Sequence, residues 1–234
     1  MRRFFHIFKK EFITYFVSPI AYIVMAIFLL VTGWFFFTTF FLFDQASLRN
    51  FFSLLPLIFS FVIPAVTMRL FSEEFNIGSY ETLMTLPLSH TDVILGKFFA
   101  AVFFVATLLV PTLAYPVCIS LIGDLDWGPV IGGYAGAILL GAAFSAVGLL
   151  ASALTRNQII AFIVAMAICF GLTLIDKMLV FLPITTLDVF QYLGVGTHFE
   201  NISKGIIDSR DILYFISLCF IGLYSTHLVL QEKN

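Results

Sequence analysis

The chain has 234 residues, of which 61% are hydrophobic and 11% are charged, and its formal net charge is -2. A mean hydropathy of +1.06 is far above that of soluble domains and predicts an integral membrane protein. The charge balance provides no basic surface, which argues against nucleic acid as a partner. The three cysteines fall in apolar runs, where cysteine acts as a small hydrophobe rather than as a metal ligand.

The opening stretch RRFFHIFKKEFITYF predicts an amphipathic helix that lies on the inner membrane surface. Its aromatic residues recur at helical spacing: Phe5, Phe8, Phe12, Tyr15 and Phe16. A secretory signal is the alternative, but the apolar run from Ile20 is too long for a signal core and no small-residue cleavage site follows. We therefore assign residues 1–18 to a cytoplasmic interfacial helix and 19–234 to a transmembrane domain.

Six apolar runs are long enough to cross a bilayer as helices: 20–43, 51–70, 93–122, 130–154, 159–182 and 212–230. They predict an all-α integral membrane fold with six transmembrane helices. An even number of spans puts both termini on one side, together with eight of the 12 basic residues: Arg2, Arg3, Lys9, Lys10, Arg69, Lys97, Arg156 and Lys233. The positive-inside rule then predicts that both termini are cytoplasmic.

Small residues recur along the fourth span at spacings that let helices approach closely: Gly132, Gly136, Ala137, Gly141, Ser145 and Gly148. They predict tight packing, either inside one bundle or across a dimer. Prolines at 56, 64, 111 and 116 predict kinks or local breaks in the second and third spans.

The segment 183–211 between the fifth and sixth spans is too long for a turn and predicts short re-entrant helices on the outer side. Thr185 with Asp188 resembles a capping box, and the glycines at 194 and 196 mark a break. Apolar residues at 199, 202 and 206 repeat at helical spacing.

Several kinds of chemistry are missing from the sequence. It contains no GxxxxGK[ST] phosphate loop, HExxH zinc helix, GxSxG elbow or cysteine pair at ligand spacing, so we predict no cofactor in this chain and no enzymatic activity. His90 near Asp92, and His198 near Glu200, provide only two candidate ligands each. No ionisable residue lies at the middle of a span, which argues against a proton-coupled transporter or an intramembrane protease.

The stretch SEEFNIGSYETLMTLPLSHTD, residues 72–92, interrupts the apolar runs. It predicts an exit from the membrane at Glu73 and Glu74, a glycine turn at 76–79, and a two-turn helix over 80–86 that Pro87 stops. Apolar residues fall on two sides of that helix: Ile77, Tyr80, Met84 and Leu88 on one, and Leu83 and Leu86 on the other. One side can pack on the ends of the spans while the other binds a partner protein, and the alternative is a loop lying on lipid. Ser89 and Asp92 predict a capping box that begins the third span.

Two separated motifs resemble a known family. EEFNIGSYETLMTLPLSHTDVILGKF resembles the signature of ABC-2 type transporter permeases. The C-terminal run HFENISKGIIDSRDILYFISLCFIGLYSTHLVL, which includes His198, Phe199, Gly205 and Asp208, is similar to the subgroup associated with gliding motility and nitrous-oxide-reductase maturation. The resemblance extends over essentially the whole chain.

In that family the polar segment is a coupling helix, and the resemblance implies which residues of this chain contact a cytoplasmic ATPase. They are Glu73, Glu74, Gly78, Ser79, Tyr80, Glu81, Leu83, Met84, Leu86 and Pro87, with Gly96 and Lys97 at the base of the third span. It also implies a second permease copy (identical or related), ATP and Mg bound by separate ATPase subunits, surrounding lipid, and a bacterial inner membrane. The function implied is export or force transmission.

Two other classes of function stay open. One is a membrane enzyme that modifies lipid through His198, Glu200, Asp208 and Asp211, and the other is a scaffold that anchors a partner complex. Neither the cargo nor the direction of transport follows from the residues.

Overall fold

The computed structural model describes residues 2–43, 47–84, 88–121, 123–178, 192–206 and 208–233. Within these ranges the regular structure is helical and no strand is present, which confirms the all-α class. Six segments are long and apolar enough to cross a membrane: Pro19–Thr38, Arg49–Ile77, His90–Ser120, Trp127–Leu154, Gln158–Met178 and Ser209–Glu232. They confirm the six predicted spans.

The helices follow one another in a simple order. The first half contains α1 (Arg2–Val17), α2 (Pro19–Phe43), α3 (Arg49–Thr67), α4 (Arg69–Ile77), α5 (Ser79–Met84), α6 (His90–Leu109), a 3-10 turn (Pro111–Leu113) and α7 (Ala114–Ser120). The second half contains α8 (Trp127–Leu154), α9 (Gln158–Met178), α10 (Val195–Ser203) and α11 (Ser209–Glu232).

The second and third spans contain prolines, with different results. The third span is broken at Pro111 by the 3-10 turn, as predicted. By contrast, α3 continues through Pro56 and Pro64, and the second span is interrupted at Met68, where α4 begins. Helix therefore continues to Ile77, beyond the predicted end of the span at residue 70, and Glu73 and Glu74 lie on this helical extension.

Helix α8 lies at the centre of the bundle and is the most buried of the six spans. Its small residues face neighbours in the same chain: a Cβ atom on Gly132, Gly141 or Gly148 would overlap atoms of Ile202, Val105 or Thr67. Since an added methyl group has no room there, the small residues allow close packing inside one bundle.

Helix α1 packs along α6 through aromatic rings. Phe4 meets Phe99 with ring centroids 5.7 Å apart, and Phe8 meets Phe103 at 5.2 Å. Its exposed side carries Lys9 and Lys10. The interfacial position of α1 in the membrane stays a prediction.

Helix α10, in the segment predicted to lie on the outer side, packs against α8, α3 and α9, with Phe199 and Ile202 buried. Gly194 is the residue before its first turn, where the glycine break was predicted, and Gly205 follows its end with φ +84°. Ile206 lies beyond this end and is exposed, so it does not continue the apolar face of α10. Thr185 and Asp188 lie outside the described residues, and the re-entrant geometry stays a prediction.

Candidate partner-docking site

The short helix α5 is separated from α4 by a single left-handed residue. Gly78 has φ +78°, a conformation that residues with a side chain rarely adopt, and Ser79 begins the next helix. Tyr80 turns inward, is 4% exposed, and packs on Phe75 with ring centroids 4.8 Å apart. Burial, assisted by the nearby Glu74 carboxylate, raises the pKa of Tyr80 to about 12, so the phenol stays neutral. The contact between Tyr80 and Phe75 thus holds α5 against α4.

The outward side of the same segment is free for a partner. Asn76, Ser79 and Glu81 are exposed, and Ile77 is 71% exposed. The expectation that Ile77 and Tyr80 share one face was wrong, because the chain changes direction at Gly78 between them. Leu83 and Met84 belong to α5, but their side chains are not described, and Leu86 and Pro87 lie outside the described residues.

The chain re-enters helical structure through the predicted capping box. The backbone N–H of Asp92 donates to Ser89 Oγ at 3.1 Å, and the backbone N–H of Ser89 donates to Asp92 Oδ2 at 3.4 Å. The Tyr80 hydroxyl lies 3.4 Å from Nδ1 of His90, the first residue of α6. These contacts fix the start of α6 beside α5.

A buried lysine joins three helices behind the docking segment, by which we mean residues 76–84. Lys97 on α6 is 1% exposed, and its Nζ donates to Glu74 Oε1 on α4 at 2.8 Å, to Glu11 Oε1 on α1 at 3.2 Å and to the Leu70 carbonyl at 2.7 Å. All three N–H groups of the ammonium therefore have acceptors, which offsets the cost of removing the charge from water. Glu11 was not predicted as part of this site, because nothing in its spacing links it to Lys97, 86 positions later.

Gly96, the neighbour of Lys97, allows α1 to reach this cluster. A Cβ atom at position 96 would lie 2.7 Å from Cγ2 of Ile7, a distance that real contacts essentially never show. The close approach brings Glu11 within reach of Lys97.

Glu73 and Glu74 face different surroundings although they are adjacent on α4. Glu74 contacts the buried lysine, whereas Glu73 pairs with Arg69 (Oε2 to Nε 3.0 Å) and its side chain is 38% exposed. Arg69 also donates to Ser18 Oγ at 3.0 Å, which ties α4 to the junction between α1 and α2. The structure thus separates the two predicted contact residues into an inner and an outer one.

Ser152 on α8 caps the start of α4 from a distance. Its Oγ accepts the backbone N–H groups of Phe71 at 2.9 Å and Ser72 at 3.0 Å, and donates to the Met68 carbonyl at 2.8 Å. The first N–H groups of a helix lack partners within the helix, and here a residue 80 positions away supplies an acceptor. No local motif signals this role, and the sequence reasoning missed it.

The residues predicted for the outer segment lie apart from the docking segment, around α10 and the start of α11. His198 Nδ1 lies 2.6 Å from Asp211 Oδ1, and His198 Nε2 donates to the Tyr192 carbonyl at 3.0 Å. Asp208 caps α11 by accepting the N–H of Arg210 at 3.0 Å. Because both ring nitrogens of His198 are engaged, neither is available as a base toward a lipid substrate.

Glu200, the remaining candidate of that enzyme hypothesis, pairs with Lys204 at 2.7 Å on the exposed side of α10. Across the described ranges, no group of three or more His, Cys, Asp and Glu side chains is placed to hold a metal ion. Among the described residues of this segment, Phe199 is buried and the Gly205 backbone lies against Gly128 and Pro129.

Comparison with known proteins gives one family. Residues 5–230 match the sequence model of the family described as "ABC-2 family transporter protein". A search of curated proteins finds no match. The matched region contains both the docking segment and the predicted outer segment.

Proposed function

The chain belongs to the ABC-2 transporter family, whose members are membrane permeases of ATP-binding cassette transporters, and from this premise we propose that α5 couples the bundle to separate ATPase subunits. The ATPases bind ATP and Mg, and this chain supplies the path through or along the membrane. The observation that carries the proposal is the mounting of α5: Tyr80 anchors its inner side, whereas Glu81 of α5 and Ile77, the last residue of α4, are exposed.

A force on α5 can be transmitted to the membrane spans through two sets of contacts. Through α4 it reaches the Lys97 cluster, which holds α1 and α6 together. Through the start of α4 it reaches Ser152 on α8, the centre of the bundle. Closure of two ATPase subunits around ATP would therefore move several spans at once, in a rigid-body change.

The setting of this permease follows from the same proposal. It works as a pair with an identical or related copy in the bacterial inner membrane, with both termini in the cytoplasm on the side of α5. The ATPases drive export or transmit force to an assembly, as in the motility and nitrous-oxide-reductase subgroup that the C-terminal motif resembles. The eight basic residues on the side of the termini support this orientation.

The test is an Ile77→Asp substitution, which places a charge at the centre of the proposed contact. The permease is purified from native membranes with its bound nucleotide-hydrolysing subunit, and retained ATPase activity is measured. Since an exposed position leaves the fold intact, the expected result is a loss of partner binding of roughly tenfold, the effect of about 1.4 kcal/mol.

Ile206→Asp is the matched control, because Ile206 is 62% exposed at the opposite end of the molecule. It should leave ATPase binding unchanged. Normal binding by the Ile77 variant, or an equal loss in both variants, would contradict the coupling proposal. An ATPase that binds at Ile77 but hydrolyses at the same rate with and without the permease would favour the scaffold.

A further inference from the structure

A cleft of about 240 Å³ with several charged side chains in its lining lies between α1 and α4. Its charged lining comes from Lys10, Glu11, Arg69, Glu73, Glu74 and Lys97. Three of these side chains are basic and three are acidic, so the formal charges of the lining cancel. A ligand with both signs of charge would match this lining without adding net charge to it.

Two polar atoms in the lining find no hydrogen-bond partner in the part of the chain that the structure describes. One is the buried hydroxyl of Tyr15, and the other is Oε2 of Glu74. Burial raises the pKa of Tyr15, so its hydroxyl remains a donor at neutral pH. Glu74 Oε2 is an acceptor. Leaving such groups unpaired costs free energy, and a ligand with an anionic acceptor and a cationic donor would satisfy both.

The cleft adjoins apolar surface. It shares Tyr15, Val66 and Arg69 with a narrow crevice of about 20 Å³, which Ile20 and Val24 of α2 line. Beyond the crevice, Ile20, Ile23 and Ile27 along α2 are 43%, 56% and 54% exposed. A ligand with its polar end in the cleft would therefore extend an apolar chain along the membrane-facing side of α2.

We propose that the cleft binds the headgroup of a zwitterionic aminophospholipid from the adjacent leaflet. The phosphate accepts from the Tyr15 hydroxyl and lies near Arg69 and Lys10, and the primary ammonium donates toward Glu73 and Glu74. The neutral lining disfavours an anionic headgroup such as phosphatidylglycerol. The unpaired Oε2 of Glu74 disfavours phosphatidylcholine, whose quaternary ammonium has no N–H to donate. Ile77 and Ser79, which belong to the proposed ATPase contact, also line this cleft, so the lipid test below changes only residues outside that contact.

The test measures lipid retention by the full-length permease. The protein is incubated with vesicles containing equal parts of phosphatidylethanolamine, phosphatidylcholine and phosphatidylglycerol, then purified, and the bound lipids are counted by native mass spectrometry. We expect selective retention of phosphatidylethanolamine. Tyr15→Phe should weaken it roughly tenfold, because a hydrogen bond to a charged group is lost.

Two matched controls accompany the variants. Tyr22→Phe removes a hydroxyl from a tyrosine that is 55% exposed on α2, and Lys9→Gln changes a lysine next to Lys10 that does not line the cleft. Both should retain lipid like the unaltered protein, whereas Lys10→Gln should retain less. The Lys10 variant decides the question if Tyr15→Phe does not fold.

Two results would overturn the proposal. The first is equal retention by the unaltered protein, Tyr15→Phe and Lys10→Gln. The second is retention of phosphatidylglycerol or phosphatidylcholine as strong as that of phosphatidylethanolamine. Neither result depends on an ATPase, so failure here leaves the coupling proposal standing, and failure of that proposal leaves this site standing.

Discussion

At the scale of single residues, Lys97 shows how a membrane bundle accommodates a buried charge. Its ammonium is 1% exposed, yet two carboxylates and one carbonyl accept all its protons. The Phe71 ring, 5.1 Å away, adds a cation–π contact. Such an arrangement is more costly to break than it is stabilising to form, because removal of one partner leaves the others buried without compensation.

We predict that Lys97→Met lowers the stability of the permease by about 3 kcal/mol, because Glu11 and Glu74 lose their shared counter-ion. The measurement is reversible unfolding in detergent. Adding Glu74→Gln to Lys97→Met should recover part of the loss, since it removes an uncompensated charge.

Lys204→Met is the control for this experiment, because Lys204 pairs with Glu200 on an exposed helix side. Its effect should stay below about 1 kcal/mol, as for other surface pairs. Equal losses for the Lys97 and Lys204 variants would mean that the buried cluster does not hold the helices together.

The sequence reasoning singled out Lys97 and Glu74 separately and predicted neither partner of Lys97. Lys97 and Glu74 lie in the motif that carries the family resemblance, whereas Glu11 lies in α1, 86 residues away. Charge spacing along a chain reports contacts within a helix, and it contains no information on which helices meet. The contact with α1 becomes visible only when Ile7 is placed against Gly96.

At the scale of elements, the local signals were the reliable ones. The capping box at Ser89 and the turn at Gly78 were predicted because both depend on a few adjacent residues. The extent of α4 was not predicted, because Glu73 and Glu74 look like residues that leave the membrane. Glu73 pairs with Arg69 on the same helix, whereas Glu74 pairs with Lys97 on α6, a tertiary contact that the local sequence does not reveal.

The glycines of α8 give a prediction at this scale. Gly132→Ala should destabilise the bundle by about 1–3 kcal/mol, because the new methyl group would overlap the carbonyl oxygen of Ile202, a backbone atom at the end of α10 that cannot turn aside. The change in unfolding midpoint in detergent is the measurement.

Gly171→Ala on α9 is the matched control, since a Cβ atom there meets nothing within 4 Å. It should leave stability unchanged or raise it by up to about 1 kcal/mol, because alanine favours a helix more than glycine does. A Gly132 variant as stable as the Gly171 variant would show that α10 does not depend on close packing against α8.

At the scale of the whole molecule, α8 connects the two functional ends. One end meets α10 at Gly132 and Gly136, and the other caps α4 through Ser152. The sequence predicted the small-residue surface of this helix but could not choose between packing inside the bundle and packing across a dimer, because both use the same residues. The contacts with Ile202, Val105 and Thr67 lie within one chain.

This central position leads to a prediction about transmission. Ser152→Ala removes the acceptor for two buried N–H groups at the start of α4, so α4 should move independently of α8. The exposed side of α5 is unchanged, and the ATPase should bind normally. We expect the permease's effect on ATP hydrolysis to fall several-fold while the amount of bound ATPase stays the same, measured on the purified complex in lipid.

Ser145→Ala separates this effect from the simple loss of a hydroxyl group. Ser145 lies on the same helix, and its buried Oγ finds no hydrogen-bond partner among the residues described. Removing it should leave both stability and coupling intact or slightly improved, because an unpaired buried hydroxyl is a cost. If Ser152→Ala couples as well as Ser145→Ala, force from α5 does not pass through α8, and the Lys97 cluster becomes the route that connects the ATPase to the membrane.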